Sequence, residues 1–400
     1  MRVVYYSHTA FFEPALSLVR DLAQRAEVHL LMELAPTAWR TASFDVPYRR
    51  LPAGLAEADA VLGENLPASV REYWRYAASF HFVVHSGRRS FHPASWYTSR
   101  RALDFAAARR PDVLHVDDVD VSPRLALALP GALHAPLVLS VHDPEPHRGE
   151  EGWRKWLARR LTYPRATRFV VHSDGLRPAF CRRYGIEPNR VAVTRFGAYD
   201  ILRAWDGNSG HPFSPEPPTV LCFGRLSPYK GLETLYAAAP LVARQVPEVR
   251  FVVAGKRAAA YDPPDPPTLP SPATFEMYEG YIPNARLARL LRAATVVACP
   301  YHEATQSGVV LTAFAFERPV VATRVGGLGE YVDHGTTGLL VDPGEPASLA
   351  AAIVRVLTDS ALRSKLAEGI RCARETRLGW AGTADQTLAV YAELLTASDR

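Results

Sequence analysis

The segment "TVLCFGRLSPYKGLETLYAAAPLVARQV", Thr219–Val246, sets the fold of this 400-residue chain. An apolar run ends in the turn "GRLSPYKG", and a long apolar stretch with helical spacing follows it. Strand, turn and helix in this order form the repeating unit of parallel α/β sheets. Arg225 and Lys230 lie in the turn, beside the positive end of the helix, which favours a bound anion. We predict a phosphate site here; the alternative is a surface loop with solvated charges.

The same alternation of strands and helices extends in both directions from this segment. Upstream, strands are predicted at "RVVYYS", "EVHLLMEL", "DVLHVDD", "PLVLSVHD" and "RFVVHSDG", with helices at 13–26, 99–109 and 176–184 between them. Downstream, "VRFVVAG", "TFEMYEGYI", "TVVACP", "PVVAT" and "GLLVD" continue the pattern. "RAWDGNSGHPFSPEPP", rich in Gly, Pro and Ser, interrupts it and predicts a linker. Two doubly wound α/β domains are expected, with ligands in the cleft between them.

The composition excludes several classes of protein. The chain is 48% hydrophobic, enough for sizeable cores, yet no apolar run reaches the length of about 18 residues that predicts a membrane span. Its four cysteines lie far apart and form no CxxC pair, which favours a reduced, cytoplasmic protein. The net charge of +5 suits a phosphorylated ligand, a membrane surface or nucleic acid. No nucleic-acid-binding signature is present, so nucleic acid is not a predicted partner.

A second anion signal lies in the same half of the chain. The segment "TQSGVV", Thr305–Val310, is a turn that opens a buried helix. The backbone N–H groups of Ser307, Gly308 and Val309 could hold a phosphate, with Gln306 and Ser307 as side-chain donors. The alternative is a capped helix start with no ligand.

Polar residues follow two strands of the first half. Asp118 and Asp120 have the DxD spacing that holds a divalent cation in some glycosyltransferases of another fold. We favour a polar strand end without metal. His142 and Asp143 end the next strand, and His147 follows, but no third metal ligand stands at a suitable spacing. His142 could bind a sugar hydroxyl or move a proton; a plain loop histidine is the alternative.

The segment 153–168 carries six basic residues among Trp153, Trp156, Leu157 and Leu161. An Arg/Lys face beside a Trp/Leu face could lie on an anionic membrane. The alternative, which we favour, is a helix whose apolar side faces the core and whose basic side is solvated.

The second half of the chain resembles a known family. The matching pieces are "FGRLSPYKGLETLYAAAPLV", "VVAGK", "GYIPNARLARLLRAATVVACP", "SGVVLTAFAFERPVVATRVGGLGEYVDHGTTGLLVDPGEPASLAAAI" and "WAGTADQTLAVYAELL". In this order they resemble the retaining glycosyltransferases of family 4, over roughly residues 220–395. The resemblance implies the GT-B fold, with two Rossmann-like domains facing each other across a cleft. The expected parts are an acceptor domain at 1–201, a linker at 202–217, a nucleotide-sugar domain at 218–378, and a terminal helix at 379–400 that crosses back onto the first domain.

The resemblance also implies roles for individual residues. The catalytic set would comprise the two cations, the histidine at the first-domain strand end and one glutamate: Arg225, Lys230, His142 and Glu303. Arg225 and Lys230 would neutralise the donor diphosphate, and His142 would reach the donor sugar. The donor-binding set would surround base, ribose and phosphates: Gly224, Tyr281, Ile282, Leu287, Gln306, Ser307, Gly308, Val309 and Thr312. No metal and no other cofactor is expected.

One departure from the family pattern concerns its two glutamates, which stand eight positions apart. Their places are taken here by Ala304 and Thr312, and Glu303 stands one residue early. Thr312 can bond a ribose hydroxyl, but without a charge. We expect Glu303 to take the donor-sugar role through a shift of its loop.

The sequence thus predicts a metal-independent retaining glycosyltransferase of the hexosyltransferase type. Its donor is a nucleoside-diphosphate sugar, and its acceptor is a saccharide, a lipid-linked glycan or a small natural product. It is expected in the cytoplasm, with peripheral contact at the inner face of the membrane through 153–168 left open. Two alternatives stay open: a nucleotide-sugar epimerase of the same fold, and a non-catalytic nucleotide-sugar-binding or scaffold subunit.

Overall fold

The computed structural model describes residues 1–35, 51–63, 66–87, 90–129, 135–143, 152–206, 217–258, 261–304 and 307–398. The chain forms two compact units, one of Met1–Phe196 with Trp380–Arg400, the other of Gly197–Gly379. The division falls before the linker expected at 202–217. Asp200–Trp205 form a 3₁₀ helix of the second unit because Ile201 and Leu202 are buried there. Residues 207–216 of that linker lie outside the described residues.

The first unit contains an eight-stranded sheet in the order β3-β4-β2-β1-β5-β6-β7-β8. All neighbouring strands are parallel except the pair β3 and β4. The strands are Arg2–His8 (β1), Glu27–Leu34 (β2), Gly54–Glu57 (β3), Ser79–Val84 (β4), Val113–Asp117 (β5), Leu137–Val141 (β6), Arg168–Val171 (β7) and Val191–Val193 (β8).

The described α-helices of this unit are Phe12–Leu22, Ala58–Leu62, Ala68–Arg71, Pro93–Ala108, Pro123–Ala128, Trp153–Thr162, Arg177–Tyr184 and Trp380–Ser398. Central strands are buried along their whole length, as in β5, because helices cover both faces of a parallel sheet. The last helix packs against Phe12–Leu22. No helix among the described residues is long and apolar enough to cross a bilayer.

The second unit contains a six-stranded parallel sheet in the order β11-β10-β9-β12-β13-β14. Its strands are Thr219–Phe223 (β9), Arg250–Gly255 (β10), Thr274–Glu279 (β11), Val296–Cys299 (β12), Val320–Thr323 (β13) and Gly338–Val341 (β14). Its described α-helices are Leu232–Ala243, Asn284–Ala293, Gly308–Ala315, Leu328–Tyr331, Pro346–Thr358 and Ser360–Glu375. The two doubly wound α/β domains predicted from the sequence are confirmed.

The strand order reverses at one point in each sheet. In the first unit the chain moves outward in opposite directions from β1 and β5, and in the second from β9 and β12. Ligands of open parallel sheets bind outside the carboxyl ends of the strands at such points. His8, Asp117, Phe223 and Cys299 end these four strands, so a site is expected next to each pair.

Candidate functional site

In the second unit, the two predicted anion-binding segments meet at the turn after β9. They are the Lys230 turn and the start of helix Gly308–Ala315. Gly224 has a φ of +98°, and a Cβ added to it would lie 3.1 Å from Val309 Cγ2 and 3.3 Å from Lys230 Nζ. The ammonium group and the first turn of helix Gly308–Ala315 therefore meet at one glycine backbone. Arg225 follows on the exposed side of this turn.

Lys230 is buried although it carries a charge, with only 9% of its surface exposed. Its Nζ donates a hydrogen bond to the Tyr301 hydroxyl at 2.9 Å and lies 4.5 Å from the centroid of that ring. No carboxylate forms an ion pair with it among the residues that the structure describes. A buried ammonium without a counter-ion is unfavourable. The site is therefore arranged for an anionic ligand.

Tyr301 is a site residue that the sequence analysis missed. It follows β12 directly and is 2% exposed, and its ring packs edge-to-face against Tyr229 at 6.2 Å. The close approach of the two loops depends on Gly231, which has a φ of +62°. A Cβ added there would lie 2.0 Å from the carbonyl oxygen of Pro300. In the sequence, Gly231 next to Lys230 was the one indication that another segment approaches this turn closely.

The second anion signal is a capped helix start. Helix Gly308–Ala315 begins after Ser307, whose Oγ accepts a hydrogen bond from Val310 N at 3.4 Å. The N–H groups of the first turn of a helix have no partner within the helix. Val309, in the first turn of this helix, lies next to Gly224. The cap and the anion site are thus compatible. Gln306 lies outside the described residues.

Thr312, at the second glutamate position, and Glu303, one residue before the first, have different surroundings. Thr312 is buried, and its Oγ1 donates to the Gly308 carbonyl at 2.7 Å, so it can only accept from a ribose hydroxyl. Glu303 is exposed. None of the described contacts joins it to Gly224 or Lys230.

The residues expected around the base lie beyond the edge strand β11. Tyr281 is 48% exposed, Ile282 is half-buried, and Leu287 lies half-buried in helix Asn284–Ala293. An exposed aromatic ring offers a face on which a base can stack. None of the described contacts joins these three residues to Lys230.

In the first unit, His142 is held by a buried carboxylate. It follows β6, and its Nε2 lies 2.6 Å from Asp117 Oδ1, while Ser7 Oγ donates to Asp117 Oδ2 at 2.8 Å. Phe11 stacks on the imidazole at 3.7 Å. His142 Nδ1 is buried and has no hydrogen-bond partner among the described residues. Asp117 was missed from the sequence, although it ends a predicted strand.

Charge coupling between these two groups shifts both of their pKa values. Burial alone would lower the pKa of His142, but the carboxylates of Asp117, Asp118 and Asp143 together outweigh burial and raise that pKa above its usual value. Burial would raise the pKa of Asp117, and the imidazolium instead holds it below its usual range. When the imidazole is protonated, its Nε2–H donates to Asp117 and its Nδ1–H is left for a ligand.

The DxD carboxylates have protein partners. Asp118 accepts from Asp120 N at 2.8 Å and from His142 N at 3.2 Å, and it has a φ of +56°. Burial, with Asp120 next, raises the pKa of Asp118 to about 7. Arg159 Nε donates to Asp120 at 2.7 Å. The described residues contain no group of three metal ligands. Both carboxylates therefore have partners within the protein.

Helix Trp153–Thr162 is oriented differently from our expectation. Its buried residues are Ala158, Arg159 and Thr162, whereas Trp153 and Trp156 are 62% and 61% exposed. The tryptophans do not face the core because the Arg159 side chain, paired with Asp120, occupies that side. The prediction of a core-facing Trp/Leu side is therefore wrong for the two tryptophans.

Two family models match the chain. The model described as "Glycosyltransferase Family 4" matches residues 14–197, and the model described as "Glycosyl transferases group 1" matches residues 217–359. The first lies in the first unit and the second in the second unit.

Curated relatives are glycosyltransferases as well. A glycogen synthase of Mycobacterium tuberculosis is 29% identical over 289 residues, which cover 70% of this chain and 69% of the relative. A D-inositol 3-phosphate glycosyltransferase of Nocardioides sp. is 33% identical over 246 residues, covering 56% of this chain and 53% of the relative. The matched region thus spans about half of the latter relative.

Solved structures share the fold at low identity. HepE of Anabaena, in complex with UDP-glucose, has a TM-score of 0.62 and 18% identity and covers 99% of this chain and 100% of HepE. Sucrose-phosphate synthase of Thermosynechococcus elongatus has a TM-score of 0.64 and 19% identity. The match covers 99% of this chain and 100% of the synthase chain. The GT-B fold expected from the sequence is confirmed.

Proposed function

Because the chain belongs to the glycosyltransferases of group 1 and family 4, we propose that it transfers a sugar from a nucleoside-diphosphate sugar to an acceptor hydroxyl with retention. The observation that carries this proposal is the buried Lys230 ammonium next to the Gly224 backbone and the start of helix Gly308–Ala315. Cation and helix start suit a diphosphate together. HepE, which binds UDP-glucose, shares the fold and supports a nucleotide-sugar donor.

The proposed chemistry is stabilisation of the leaving group. The acceptor hydroxyl attacks the anomeric carbon on the face that the diphosphate leaves, through an oxocarbenium-like transition state. Arg225, Lys230 and the N–H groups of Gly308 and Val309 hold the charge that grows on the leaving diphosphate. His142 is proposed to contact the donor sugar. No metal or other cofactor is part of the mechanism, and the two-carboxylate scheme of glycosidases is not used.

The acceptor is proposed as a saccharide, a lipid-linked glycan or a small molecule, without nucleic acid as a partner. A cytoplasmic enzyme is proposed because all four cysteines are unpaired, three of them buried. The alternatives remain a nucleotide-sugar epimerase and a non-catalytic subunit. Both are kept because Ala304 and Thr312 occupy the usual glutamate places.

The test is a product assay with UDP-, GDP-, ADP- and TDP-sugars in EDTA. Glycogen and D-inositol 3-phosphate, taken from the names of the relatives, serve as first acceptors. We expect one donor to release its nucleoside diphosphate in proportion to acceptor, with an α-linked product from an α-linked donor by NMR. Lys230→Ala should lose about 10²-fold or more in rate. An inverted product would overturn retention, and free sugar or an epimer from donor alone would favour the epimerase.

A further inference from the structure

Helix Trp153–Thr162 exposes two tryptophans beside unneutralised cations. Trp153 and Trp156 lie one helical turn apart and are both more than half exposed. The Arg154 guanidinium lies 5.4 Å from the Trp153 ring, and the Arg160 guanidinium lies 5.8 Å from the Trp156 ring. We call Trp153, Arg154, Trp156 and Arg160, all of them exposed, the basic-aromatic face.

The outward cations of this face form no ion pair among the described residues. Helix Trp153–Thr162 itself contains no acidic residue, while Glu150 and Glu151 precede it in the sequence. Arg159 is neutralised by Asp120 on the inner side of the helix. In contrast, the exposed Arg154 and Arg160 form no ion pair with a carboxylate among the described residues. The outward cations are therefore available to an anionic surface.

The aromatic surface extends beyond this helix. The Phe91 ring lies 5.2 Å from the Trp153 ring, so the start of helix Pro93–Ala108 adjoins the face. That helix exposes Trp96 and Tyr97 in its first turn, at 46% and 59%. Large aromatic side chains are otherwise rarely this exposed. A group of exposed aromatic side chains indicates a surface that binds a membrane or another molecule.

An open groove with mixed lining runs beside the helix. Its volume is ≈ 1010 Å³, and the rings of Trp156, Tyr163 and Tyr184 line it together with Lys155 and Arg183. A groove lined by both cations and aromatic rings suits a phosphate headgroup with its glycerol and upper acyl carbons.

We propose that the basic-aromatic face docks the enzyme on an anionic lipid bilayer. Tryptophan rings prefer the headgroup level of a membrane, where the ring is apolar and its N–H remains hydrated. Cores of protein–protein interfaces are depleted of charged residues, whereas here cations alternate with the rings. This inference deepens the proposed function, because it favours a lipid-linked acceptor, but docking itself requires no donor and no turnover.

The test is co-sedimentation of the full chain, without donor, with vesicles of phosphatidylcholine alone or with about 30% phosphatidylglycerol. We expect binding only to anionic vesicles, weakened at about 0.5 M salt because surface charges are then screened. Arg154→Gln/Arg160→Gln should lose about 25-fold in partition, as each cation contributes roughly fivefold. Trp153→Ala/Trp156→Ala should lose about tenfold in partition, because it removes the two rings that would enter the headgroup region of the membrane.

Matched controls replace equivalent groups elsewhere. Tyr76→Ala removes a 55% exposed aromatic ring, and Arg244→Gln/Arg355→Gln removes two exposed cations; both should bind as the wild type does. Circular dichroism and urea unfolding check that every variant is folded. Soluble glycerol phosphate at vesicle-equivalent concentration should not displace the protein.

Three outcomes would overturn the proposal. Wild type could fail to sediment with anionic vesicles, or the control pair could lose as much as Arg154→Gln/Arg160→Gln. A dimer in solution that Trp153→Ala/Trp156→Ala dissociates would assign the face to a second copy instead. None of these results bears on whether the second unit binds a nucleotide sugar.

Discussion

Lys230 Nζ lies 2.9 Å from the Tyr301 hydroxyl, and both side chains are buried where the strand order of the second sheet reverses. Lys230 belongs to the turn after β9, and Tyr301 follows β12. The hydroxyl therefore fixes the ammonium between the two strands whose carboxyl ends define the site. A long lysine side chain has many rotamers, so this bond limits its freedom before any ligand arrives.

We predict that Tyr301→Phe weakens donor use without unfolding the protein. Hydrogen bonds to charged groups contribute about 1.5–3 kcal/mol, so kcat/KM should fall roughly tenfold or more. Tyr236→Phe is the matched control, since Tyr236 is a buried tyrosine of the same unit that donates only to Met277 sulfur, at 3.4 Å. Steady-state kinetics with the active donor measure both variants. Equal kinetics for Tyr301→Phe and Tyr236→Phe would contradict the role of Tyr301.

Gly231→Ala should disrupt the contact between the Lys230 turn and the segment after β12. A left-handed backbone costs about 1–2 kcal/mol for a residue with a side chain. The new Cβ would in addition lie 2.0 Å from Pro300 O. Gly344→Ala is the control, because Gly344 has a φ of +76° and open space at its Cβ. In urea unfolding, Gly231→Ala should be clearly less stable than Gly344→Ala. Equal losses would show that the loops are not in close contact.

The Asp117–His142 pair predicts a dependence of stability on pH. The raised pKa of His142 stabilises the fold below the unfolded value of about 6.5, and this is lost as pH rises through the folded value. The lowered pKa of Asp117 stabilises the fold above about pH 3.9, and this is lost as pH falls through the folded value. The pair therefore contributes most at about pH 4–6.5.

Asp117→Asn should accordingly lose more free energy of unfolding near about pH 6 than near about pH 9. Urea unfolding at both values measures the difference, and NMR of the imidazole should show a lower pKa for His142 in the variant. Asp112→Asn replaces a carboxylate at the start of β5 and serves as a control. An equal loss at the two pH values would mean that His142 is not the charged partner.

Asp120→Asn tests whether the DxD segment is structural. The change leaves Arg159 buried without its counter-ion, which should cost about 3–5 kcal/mol. Asp104→Asn breaks the exposed pair with Arg100 and should cost only about 0.3–0.5 kcal/mol. Chemical denaturation checks both, with and without Mn²⁺. Stabilisation of the wild type by Mn²⁺ that Asp120→Asn abolishes would reveal a metal site.

Both sheets were predictable because their central strands are continuous apolar runs that end in glycine or polar residues. The antiparallel edge formed by β3 with β4 was not predicted, since 51–92 contains no motif and β3 is only partly buried. The second unit begins at Gly197, ahead of the linker predicted at 202–217. The composition of 202–217 indicated a linker, but burial of Ile201 and Leu202 binds the preceding residues to the second unit.

The site was predictable only where a local motif carried it. Lys230 and Ser307 lie in turns that open helices, so their spacing was informative. Tyr301 and Asp117 act through partners 71 and 25 positions away, and no local pattern predicts such pairs. The exposure of Trp156 could not be predicted for a related reason. Arg159 faces inward because Asp120, from another segment, neutralises it.

The central claim is that the second unit binds a nucleoside diphosphate through Lys230 without metal. Thermal shift with UDP, GDP, ADP and TDP tests it most directly, in EDTA, on wild type, Arg225→Ala, Lys230→Ala and the exposed control Lys365→Ala. One nucleotide at about 100 times its Kd should add about 2.7 kcal/mol of stability. We predict that this shift survives EDTA and Lys365→Ala and is lost in the other two variants. A shift that requires metal, or no shift from any nucleotide in the folded protein, would contradict the account.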